Sequence, residues 1–432
     1  MAAARDTYLV IGGSGFLGRH IVEQLVARGD TVSVFDIVQR YDDVPCYTGD
    51  ISEEGQVKQA VQKSAATCII HTASPMHGLD DAALYWKVNV EGTKCVIEAA
   101  VACGVRKLVF TSSAGVVFNG EDLINIDERI PSPEKAMDGY NESKAKAEEM
   151  VLAANGKDGL LTVALRPSGI FGPGDRQVMH GLYQVYQNRQ THFQIGDNTN
   201  LFDWTYVTNV AHAHLLAADK LVDPTTTPTP SKADIVDYPL PSMDITTGVH
   251  RIPTSQARPL GPCVNPPPNA DQLVAAFQQP FSRKDDPRPV TRSRFDPLAD
   301  AALERATVNP LQVAGQVFFI TNGEPIYFWD LPRAVWRRLA ESDPERAGVA
   351  DRRLIKLSRD IGLLLAAGSE WWGWLIGKEP AFTRFRVKFS CANRWHNIEK
   401  ARRVLGYEPQ VGIEEGVKRM VDWFISEHVK KQ

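Results

Sequence analysis

The turn that most constrains the fold of this chain carries a glycine at every third position, Gly12, Gly15 and Gly18. It lies between an apolar, strand-like run at Tyr8–Ile11 and a helical pattern that begins at Gly18. In a strand–turn–helix unit, such glycines supply a tight turn, let the backbone approach a pyrophosphate, and let the helix pack closely on the strand. The amide groups of the first helical turn then face the phosphates. The candidate contacts to a dinucleotide are Gly12, Gly15, Phe16, Leu17 and Gly18.

An acidic residue, Asp36, ends the second predicted strand, about 20 residues after the glycine turn. A carboxylate at this position can accept hydrogen bonds from both ribose hydroxyls of NAD, and it repels the 2′-phosphate of NADP. The sequence therefore favours NAD as the cofactor. Arg40, which follows closely, leaves room for the phosphate of NADP.

Strand-like and helical patterns alternate from the N-terminus to about Arg166, which indicates a parallel sheet covered by helices on both faces. The predicted strands are Tyr8–Ile11, Thr31–Phe35, Cys68–His71, Lys107–Ser112 and Leu161–Leu165. The predicted helices include Gly18–Arg28 and Asn89–Cys103. We therefore predict an α/β fold with a Rossmann-type, doubly wound parallel sheet, in which residues 1–166 form the NAD-binding domain.

A proline-rich stretch interrupts the second half of the chain. Fifteen of the 27 prolines lie between Pro224 and Pro297, a density that prevents regular elements over most of this stretch. We interpret residues 221–309 as an insertion with one short helix near Asp271–Phe277. The insertion is either a disordered linker or, because it contains apolar residues such as Phe295, a segment partly packed on the surface.

The residues on either side of the insertion, 167–220 and 310–432, are predicted to form a smaller C-terminal substrate lobe. Within it, the β-rich run at 316–321 is expected to rejoin the sheet. Near the C-terminus, the apolar residues recur with helical spacing and predict a terminal helix with one buried face. That face consists of Ile413, Val417, Met420, Val421 and Phe424.

A tyrosine and a lysine four residues apart, Tyr140 and Lys144 in "YNESK", are expected to lie on the same face of a helix. The lysine ammonium would lower the pKa of the phenol and hold the cofactor ribose, so that Tyr140 acts as a general acid and base. Ser113 directly follows the predicted strand Lys107–Ser112, at the sheet edge where ligands bind, and it can hydrogen-bond the reacting oxygen. Ser112 is the alternative, with strand-end capping as its structural role.

These motifs, in this order, resemble the extended form of the short-chain dehydrogenase/reductase superfamily. Further segments support the resemblance: Gly49–Ile51 is similar to the adenine-contacting site, His71–Ser74 to the turn beside the cofactor, and Arg166–Asp175 to the loop that passes the nicotinamide. The resemblance implies additional cofactor contacts at Asp50, Ile51, Thr72, Ala73, Ser74, Asn89, Lys144, Pro167 and Ser168.

Within this superfamily, the segments "RPSGIFGPGD", "FDWTYVTNVAHAH", "FFITNGEPIYFWDL" and "ARRVLGYEPQVGIEEGV" are similar to the 3-beta-hydroxysteroid dehydrogenase branch. Sequence segments within and after the insertion resemble those of the decarboxylating 4-carboxysterol dehydrogenases of ergosterol synthesis. The resemblance implies that the 3-beta-hydroxyl of a 4-alpha-carboxysterol is oxidised to the 3-ketone with NAD(P), and that the C4 carboxylate is lost as carbon dioxide. The substrate carboxylate requires a cation, for which Arg176 is the candidate; an ion pair with Asp175 is its alternative role.

Three other functions share parts of this pattern. A nucleotide-sugar epimerase or dehydratase has the same Ser/Tyr/Lys set, but the sequence shows no marker for a second nucleotide. A 3-beta-hydroxysteroid dehydrogenase/isomerase acting on a steroid without the 4-carboxylate differs only in pocket contacts. A non-catalytic NAD-binding sensor or scaffold can lose the Tyr/Lys pair, whereas this chain keeps it.

Several classes of partner are disfavoured by composition. With a formal net charge of -4 and no dense Lys/Arg block, nucleic acid is not an expected partner. The six cysteines form no CxxC pair and suit reduced thiols, and His212 and His214 are expected to pack or lie at the surface, so no metal site is predicted.

The resemblance implies a membrane-derived sterol substrate and a peripheral position on the cytosolic face of the endoplasmic reticulum. It also implies contacts with other enzymes of sterol C4 demethylation. The N-terminal residues show neither a signal-peptide nor a transit-peptide pattern. Trp371, Trp372 and Trp374 lie in a segment whose uncharged runs are too short to span a bilayer. These tryptophans either contact a membrane surface or belong to a buried helix that closes the pocket.

Overall fold

Seven parallel strands form the central sheet of the computed structural model, which describes residues 5–223, 309, 311–343, 348, 353–377 and 382–429. In chain order the strands of this sheet are β1 (Thr7–Ile11), β2 (Thr31–Asp36), β3 (Cys46–Thr48), β4 (Cys68–His71), β5 (Lys107–Thr111), β7 (Leu161–Pro167) and β12 (Gln316–Ile320). Their order across the sheet is β12-β7-β5-β4-β1-β2-β3. The strand order reverses between β1 and β4, which is where ligands bind in doubly wound folds.

Helices cover both faces of the sheet. In chain order they are α1 (Phe16–Arg28), α2 (Glu54–Ser64), α3 (Ala82–Tyr85), α4 (Gly92–Ala102), α5 (Gly139–Ala153), α6 (Val178–Gln187), α7 (Val207–Lys220), α8 (Asp330–Ser342), α9 (Arg359–Ile376), α10 (Arg384–Cys391) and α11 (Ile413–Phe424). Strand β1 is buried on both sides: Val10 packs with α1 and α7, whereas Leu9 packs with α2, α4 and α5. This alternation follows from the two-residue period of a strand.

A second, smaller sheet carries part of the C-terminal lobe. Its strands are β6 (Leu123–Ile126), β10 (Leu201–Phe202), β13 (Ile326–Tyr327) and β15 (Arg394–His396), in the order β13-β10-β15-β6. Two further pairs join β8 (Ile170–Phe171) to β11 (Thr205–Tyr206), and β9 (Phe193–Ile195) to β14 (Ile355–Leu357). Helices α6, α8 and α11 enclose a third apolar core beside these strands. Strand β15 therefore links the lobe to β6, which comes from the N-terminal part of the chain.

The predicted doubly wound parallel sheet is confirmed. The five predicted strands are present with ends shifted by at most two residues, and the run at 316–320 lies beside β7. The predicted helix Asn89–Cys103 is divided: a π-helical turn at Trp86–Glu91 precedes α4. The terminal helix buries the predicted face. The interpretation of residues 224–308 lies outside the described residues, and the domain division stays a prediction.

Candidate active site

A cleft of about 960 Å³ opens at the carboxyl ends of the central strands and extends toward the smaller sheet. One part of its wall is formed by the glycine turn and the ends of β1, β2 and β4, and the other by aromatic residues of the lobe. The predicted catalytic residues Ser113, Tyr140 and Lys144 line the middle of this wall. The cleft therefore brings together a polar, nucleotide-like groove and an apolar pocket, as small-molecule sites commonly do.

The glycine turn has the close packing that its spacing predicts. Gly12 has φ +84°, and a Cβ on Gly18 would lie 2.1 Å from the Gly12 carbonyl oxygen. Helix α1 begins at Phe16, and its N-cap, Gly15, provides no side-chain hydrogen bond to the first amide groups. Because the first amides of a helix have no intrahelical acceptor, they are available to an anion in the cleft. This geometry fits a dinucleotide pyrophosphate.

Asp36 ends β2 at the rim of the same groove and lines the cleft. Its Oδ2 accepts a hydrogen bond from the Ser14 amide at 2.9 Å, which fixes the carboxylate beside the glycine turn. Arg40 also lines the cleft, but its side chain is exposed. A carboxylate held by a backbone amide and an arginine that is exposed to solvent together fit NAD better than NADP.

The other predicted cofactor contacts lie around this groove, with one exception. The cleft is lined by Asp50, Ile51, Thr72, Ala73, Ser74, Pro167 and Ser168. Asn89 is buried and does not line the cleft. Its Nδ2 donates to Ser143 Oγ at 2.9 Å, and that hydroxyl donates to the Tyr140 carbonyl oxygen. The amide nitrogen of Asn89 thus supports helix α5, and the direct cofactor contact at this residue stays a prediction.

Helix α5 presents Tyr140 and Lys144 on one face of its first turns. Asp138 caps the helix by accepting a hydrogen bond from the Asn141 amide at 2.8 Å, which fixes where the helix begins. Lys144 is buried, and its Nζ donates to the Thr111 carbonyl oxygen at 2.9 Å and lies 4.9 Å from the ring centre of Phe110. The tyrosine is partly buried, and the ring of His77 lies 4.8 Å away from its ring.

The pKa values of this pair differ from the expectation. Burial raises the pKa of Tyr140 to about 12, and the neighbouring Ser113 hydroxyl opposes this shift. Burial lowers the pKa of Lys144 to about 7, against the opposing effect of the Glu148 carboxylate. In the protein alone, removal from water determines the direction of both shifts, and the expected lowering of the phenol pKa by Lys144 stays a prediction for the complex with cofactor.

The two strand-end serines have different environments. Ser112 Oγ donates to Glu148 Oε2 at 2.6 Å, within a buried network in which Arg166 also donates to Glu148. Ser113 Oγ accepts a hydrogen bond from the Gly115 amide at 3.0 Å and can still donate its own proton. The geometry therefore favours Ser113 over Ser112 as the group that meets a substrate oxygen.

Arg176 lies at the rim of the cleft with an exposed side chain. Asp175 does not pair with it. Instead, the buried Asp175 carboxylate accepts hydrogen bonds from the amides of Gln177 and Val178 at the start of α6, so the expected ion pair is absent among the described residues. Burial raises the pKa of Asp175 to about 6.

The structure describes both histidines and five of the six cysteines. His214 is fully buried and its Nε2 lies 2.7 Å from Thr111 Oγ1, whereas His212 is partly exposed on α7. The cysteines of the described residues are free, and Cys263 lies outside them. The described part of the chain contains no cluster of His, Cys, Asp or Glu that could hold a metal ion.

Sequence reasoning missed the residues that form the far wall of the cleft. These are chiefly aromatic and basic side chains: Phe202, Trp204, Phe385, Phe389, Arg394 and His396 of the lobe, and His77 and Phe118 of the N-terminal part of the chain. Phe385 and Phe389 are four residues apart on α10, a spacing that indicates one helix face but not what that face contacts. Arg394 is the buried cation of this group.

The sequence matches known proteins over most of its length. The model of the 3-beta hydroxysteroid dehydrogenase/isomerase family matches residues 9–236. A decarboxylating sterol-4-alpha-carboxylate 3-dehydrogenase of Saccharomyces cerevisiae is 39% identical over 97% of this chain and 97% of its own length. The chain belongs to the 3-beta hydroxysteroid dehydrogenase/isomerase family. The mouse protein with the corresponding name is 33% identical over 98% of this chain and 91% of its own length.

Solved structures agree with the fold of this family member. A UDP-glucose 4-epimerase of Thermus thermophilus in complex with NAD superposes with a TM-score of 0.57, at 21% identity, covering 98% of this chain and 99% of that chain. A short-chain dehydrogenase/reductase superfamily protein from Agrobacterium tumefaciens with bound NAD gives a TM-score of 0.58 at 16% identity, covering 99% of each chain. At these identities the likeness concerns the fold alone.

Proposed function

We propose that this protein oxidises the 3-beta-hydroxyl of a 4-alpha-carboxysterol to the 3-ketone with NAD(P), and that the C4 carboxylate then leaves as carbon dioxide. The observation that carries the proposal is the position of Ser113, Tyr140 and Lys144 between the dinucleotide groove and an aromatic pocket. The printed names of the yeast and mouse relatives favour this activity over an isomerase or a non-catalytic sensor.

The cofactor would be held by the glycine turn through its amides and by Asp36 through the ribose hydroxyls. Lys144 would contact the nicotinamide ribose, as the superfamily resemblance implies. When bound, an oxidised nicotinamide dinucleotide supplies the hydride acceptor for the C3 hydrogen and a positive charge beside the phenol.

Tyr140 is the proposed base that accepts the proton of the C3 hydroxyl. With a pKa raised to about 12, the phenol of the protein alone is protonated at neutral pH, so its ionisation must be stabilised by positive charge in the complex. Ser113 would donate a hydrogen bond to the C3 oxygen and hold it against Tyr140. Lys144, with a pKa lowered to about 7, is poised to change protonation state close to neutral pH.

Oxidation at C3 makes the loss of carbon dioxide chemically accessible. The C4 carboxylate of the 3-ketone is beta to a carbonyl, so the C4–carboxyl bond can break with its electron pair moving into a C3 enolate. The enolate then takes up a proton at C4 to give the neutral ketone. Hydrogen bonds from Tyr140 and Ser113 to the C3 oxygen would stabilise the negative charge that develops there.

The walls beyond the catalytic residues suit a flat, apolar ligand. Phe202 is in aromatic contact with both Trp204 and Phe389, with ring centres 4.7 Å and 5.7 Å apart, respectively. Aromatic side chains contribute a large apolar surface for contact with a sterol ring system. This lining supports the sterol class over a nucleotide sugar, which would need several hydrogen-bonding side chains.

Helix α9 supports a proposed contact with a membrane surface, where a sterol would be found. Seven large apolar side chains of this helix are exposed: Ile361, Leu364, Leu365, Trp371, Trp372, Leu375 and Ile376. Trp371 is 61% exposed and Trp372 57%, so neither closes the pocket; the side chain of Trp374 lies outside the described residues. Among the described residues, no helix is long and apolar enough to cross a bilayer. An interfacial helix is the arrangement that fits both observations.

The proposed location is the cytosolic face of the endoplasmic reticulum, with other enzymes of sterol C4 demethylation as partners, as the family resemblance implies. The membrane contact is tested by flotation with phosphatidylcholine vesicles. Replacing Trp371 and Trp372 together by serine should release the protein from the vesicles. Phe193→Ser, which changes an exposed apolar residue outside α9, is the matched control. Equal flotation of all three proteins would contradict the membrane contact.

The activity is tested with purified protein, NAD or NADP, and a 4-alpha-carboxysterol, by following reduced cofactor and the mass of the ketone product. Cofactor reduction with loss of carbon dioxide is expected, and Tyr140→Phe should reduce the rate by about 100-fold or more, as expected when an acid/base group is removed. Turnover of only non-carboxylated sterols by the wild type, or unchanged turnover in Tyr140→Phe, would refute the proposal.

A further inference from the structure

A buried arginine lies on the wall of the cleft that the sequence motifs do not reach. Arg394 begins β15, where it pairs with Phe202 of β10 on one side and with Leu123 of β6 on the other. This central position in the smaller sheet removes the residue from solvent, leaving it 8% exposed, while it still lines the cleft. Arginine is rarely buried to this extent without a charged partner.

The guanidinium of Arg394 lies among aromatic rings, and no carboxylate of the described residues lies within ion-pair distance of it. Its central carbon is 3.7 Å from the ring centre of Phe389 and 4.5 Å from those of Phe118 and Phe202. Its Nε and Nη2 are buried and have no hydrogen-bond partner in the described part of the protein. Cation–π contacts stabilise the charge only partly, and they leave the N–H groups unsatisfied.

Burial lowers the pKa of Arg394 to about 9, with the Asp138 carboxylate opposing this shift. The residue therefore stays charged at neutral pH in surroundings that disfavour charge. Such an arrangement is costly unless an anion joins it. A guanidinium offers two parallel N–H donors, a geometry that matches a carboxylate.

The other Lys and Arg side chains that line the cleft are less suited to this role. Arg40 and Arg176 are exposed, so water screens their charges and satisfies their donors. Lys144 already donates to the Thr111 carbonyl oxygen. Among the described residues, Arg394 is thus the lining cation that combines burial, free donors and an apolar surround.

Aromatic contacts connect Arg394 to the catalytic tyrosine. The ring of His77 lies 4.8 Å from that of Tyr140 and 6.4 Å from that of Phe389, on which the guanidinium packs. In a 4-carboxysterol, the carboxylate is attached to the carbon next to the reacting C3. A sterol whose C3 oxygen meets Tyr140 therefore carries its anion on the same end of the molecule.

We propose that Arg394 binds the C4 carboxylate of the substrate and so selects carboxylated sterols over those that lack this group. The inference rests on the proposed function, and it replaces Arg176 as the cation of the site. Because the ketone product has lost its carboxylate, it also lacks the group that Arg394 holds. Product release is thereby favoured over rebinding.

The experiment measures equilibrium binding of a 4-alpha-carboxysterol and of its methyl ester to the full chain in the presence of NADH, which prevents turnover. The wild type should bind the acid about 30- to 100-fold more tightly than the ester, the range expected when one partner of a buried charge pair is removed. Arg394→Met keeps an apolar stem against Phe389 and should abolish the preference. Arg394→Lys should retain part of it.

Controls separate this inference from the proposed function. Arg338→Met, which removes an arginine ion-paired with Asp422 on the surface, should keep the full preference. Equal binding of acid and ester by the wild type would overturn the inference even if Arg394→Met fails to fold. So would an unchanged preference in Arg394→Met, or a preference lost in Arg176→Ala. Absence of turnover with NAD, in contrast, would refute the proposed function without affecting the binding result.

Discussion

The buried Lys144 predicts that the stability of the protein rises with pH in a specific window. Its pKa is lowered to about 7 by burial, whereas an unfolded lysine titrates near 10.4. Between these two values the unfolded chain binds the proton and the folded protein does not. Unfolding then takes up a proton, so the free energy of unfolding increases with pH in this range.

The size of the effect follows from these two pKa values. Well inside the window, each pH unit contributes about 1.4 kcal/mol, and from pH 7.5 to pH 9.0 the contribution of Lys144 is about 2 kcal/mol. Below pH 7 both states are protonated and the contribution becomes constant. Lys144→Met removes the titrating group and keeps an apolar chain of similar length, so this increment should be absent from the variant.

The assay is equilibrium urea unfolding of the wild type and Lys144→Met at both pH values, without added cofactor. The difference between the two proteins is compared, because other groups such as Cys68, whose pKa is raised by burial, contribute equally to both. Lys94→Met, at an exposed position on α4, is the matched control and should behave as the wild type. If the wild type and Lys144→Met show the same change between pH 7.5 and 9.0, the reasoning about burial of Lys144 is refuted.

Three further predictions concern the cofactor groove and the strand-end serines. Asp36→Asn should lower the preference for NAD over NADP by about tenfold, measured as the ratio of kcat/KM values; an unchanged ratio would contradict a role for the carboxylate. Gly18→Ala should destabilise the protein by about 1–3 kcal/mol and weaken NAD binding, because the added Cβ would clash with the Gly12 carbonyl oxygen. The control Gly55→Ala, at an open position of α2, should change neither stability nor NAD binding in this way. Ser113→Ala should lower kcat by about tenfold or more, while Ser112→Ala should mainly cost about 1–2 kcal/mol of stability, since it removes one of the donors to the buried Glu148 carboxylate and leaves those of Arg166; the reverse pattern would exchange their roles.

The parallel sheet could be predicted because its strands are buried, β-rich runs separated by helical patterns. Cys68–His71 was predicted to the residue, since all four positions are buried and turn signals flank the run. Strand β3 was missed because it is a three-residue edge strand with partly exposed side chains. The strands of the smaller sheet are two to four residues long, too short to show a period of two. Their existence depends on pairing between distant segments such as β6 and β15.

Like the fold, the candidate site has one part that the sequence predicts and one part that it does not. Its polar half consists of short local motifs in which a few residues determine a turn or a helix face, as in Gly12–Gly18 and the Tyr140/Lys144 pair. Asn89 shows the limit of this approach, because the motif predicts the residue type but not whether its side chain faces the cleft. The pKa of Tyr140 shows a second limit, since it depends on burial that spacing cannot reveal.

The apolar half of the site depends on tertiary packing, and this explains why the sequence points to Arg176 whereas the proposal from the structure is Arg394. Arg176 follows a loop that resembles a known motif, so proximity along the chain suggested it. Arg394 is preceded by no such motif; it enters the cleft only because β15 pairs between β6 and β10 and because Phe389 covers its guanidinium. A buried cation with unsatisfied donors costs the free protein stability, and an anionic ligand would offset that cost. The burial and charge of Arg394 are therefore a stronger argument for a carboxylate contact than the nearness of Arg176 to a motif. Experiments on substrate specificity should accordingly begin with β15.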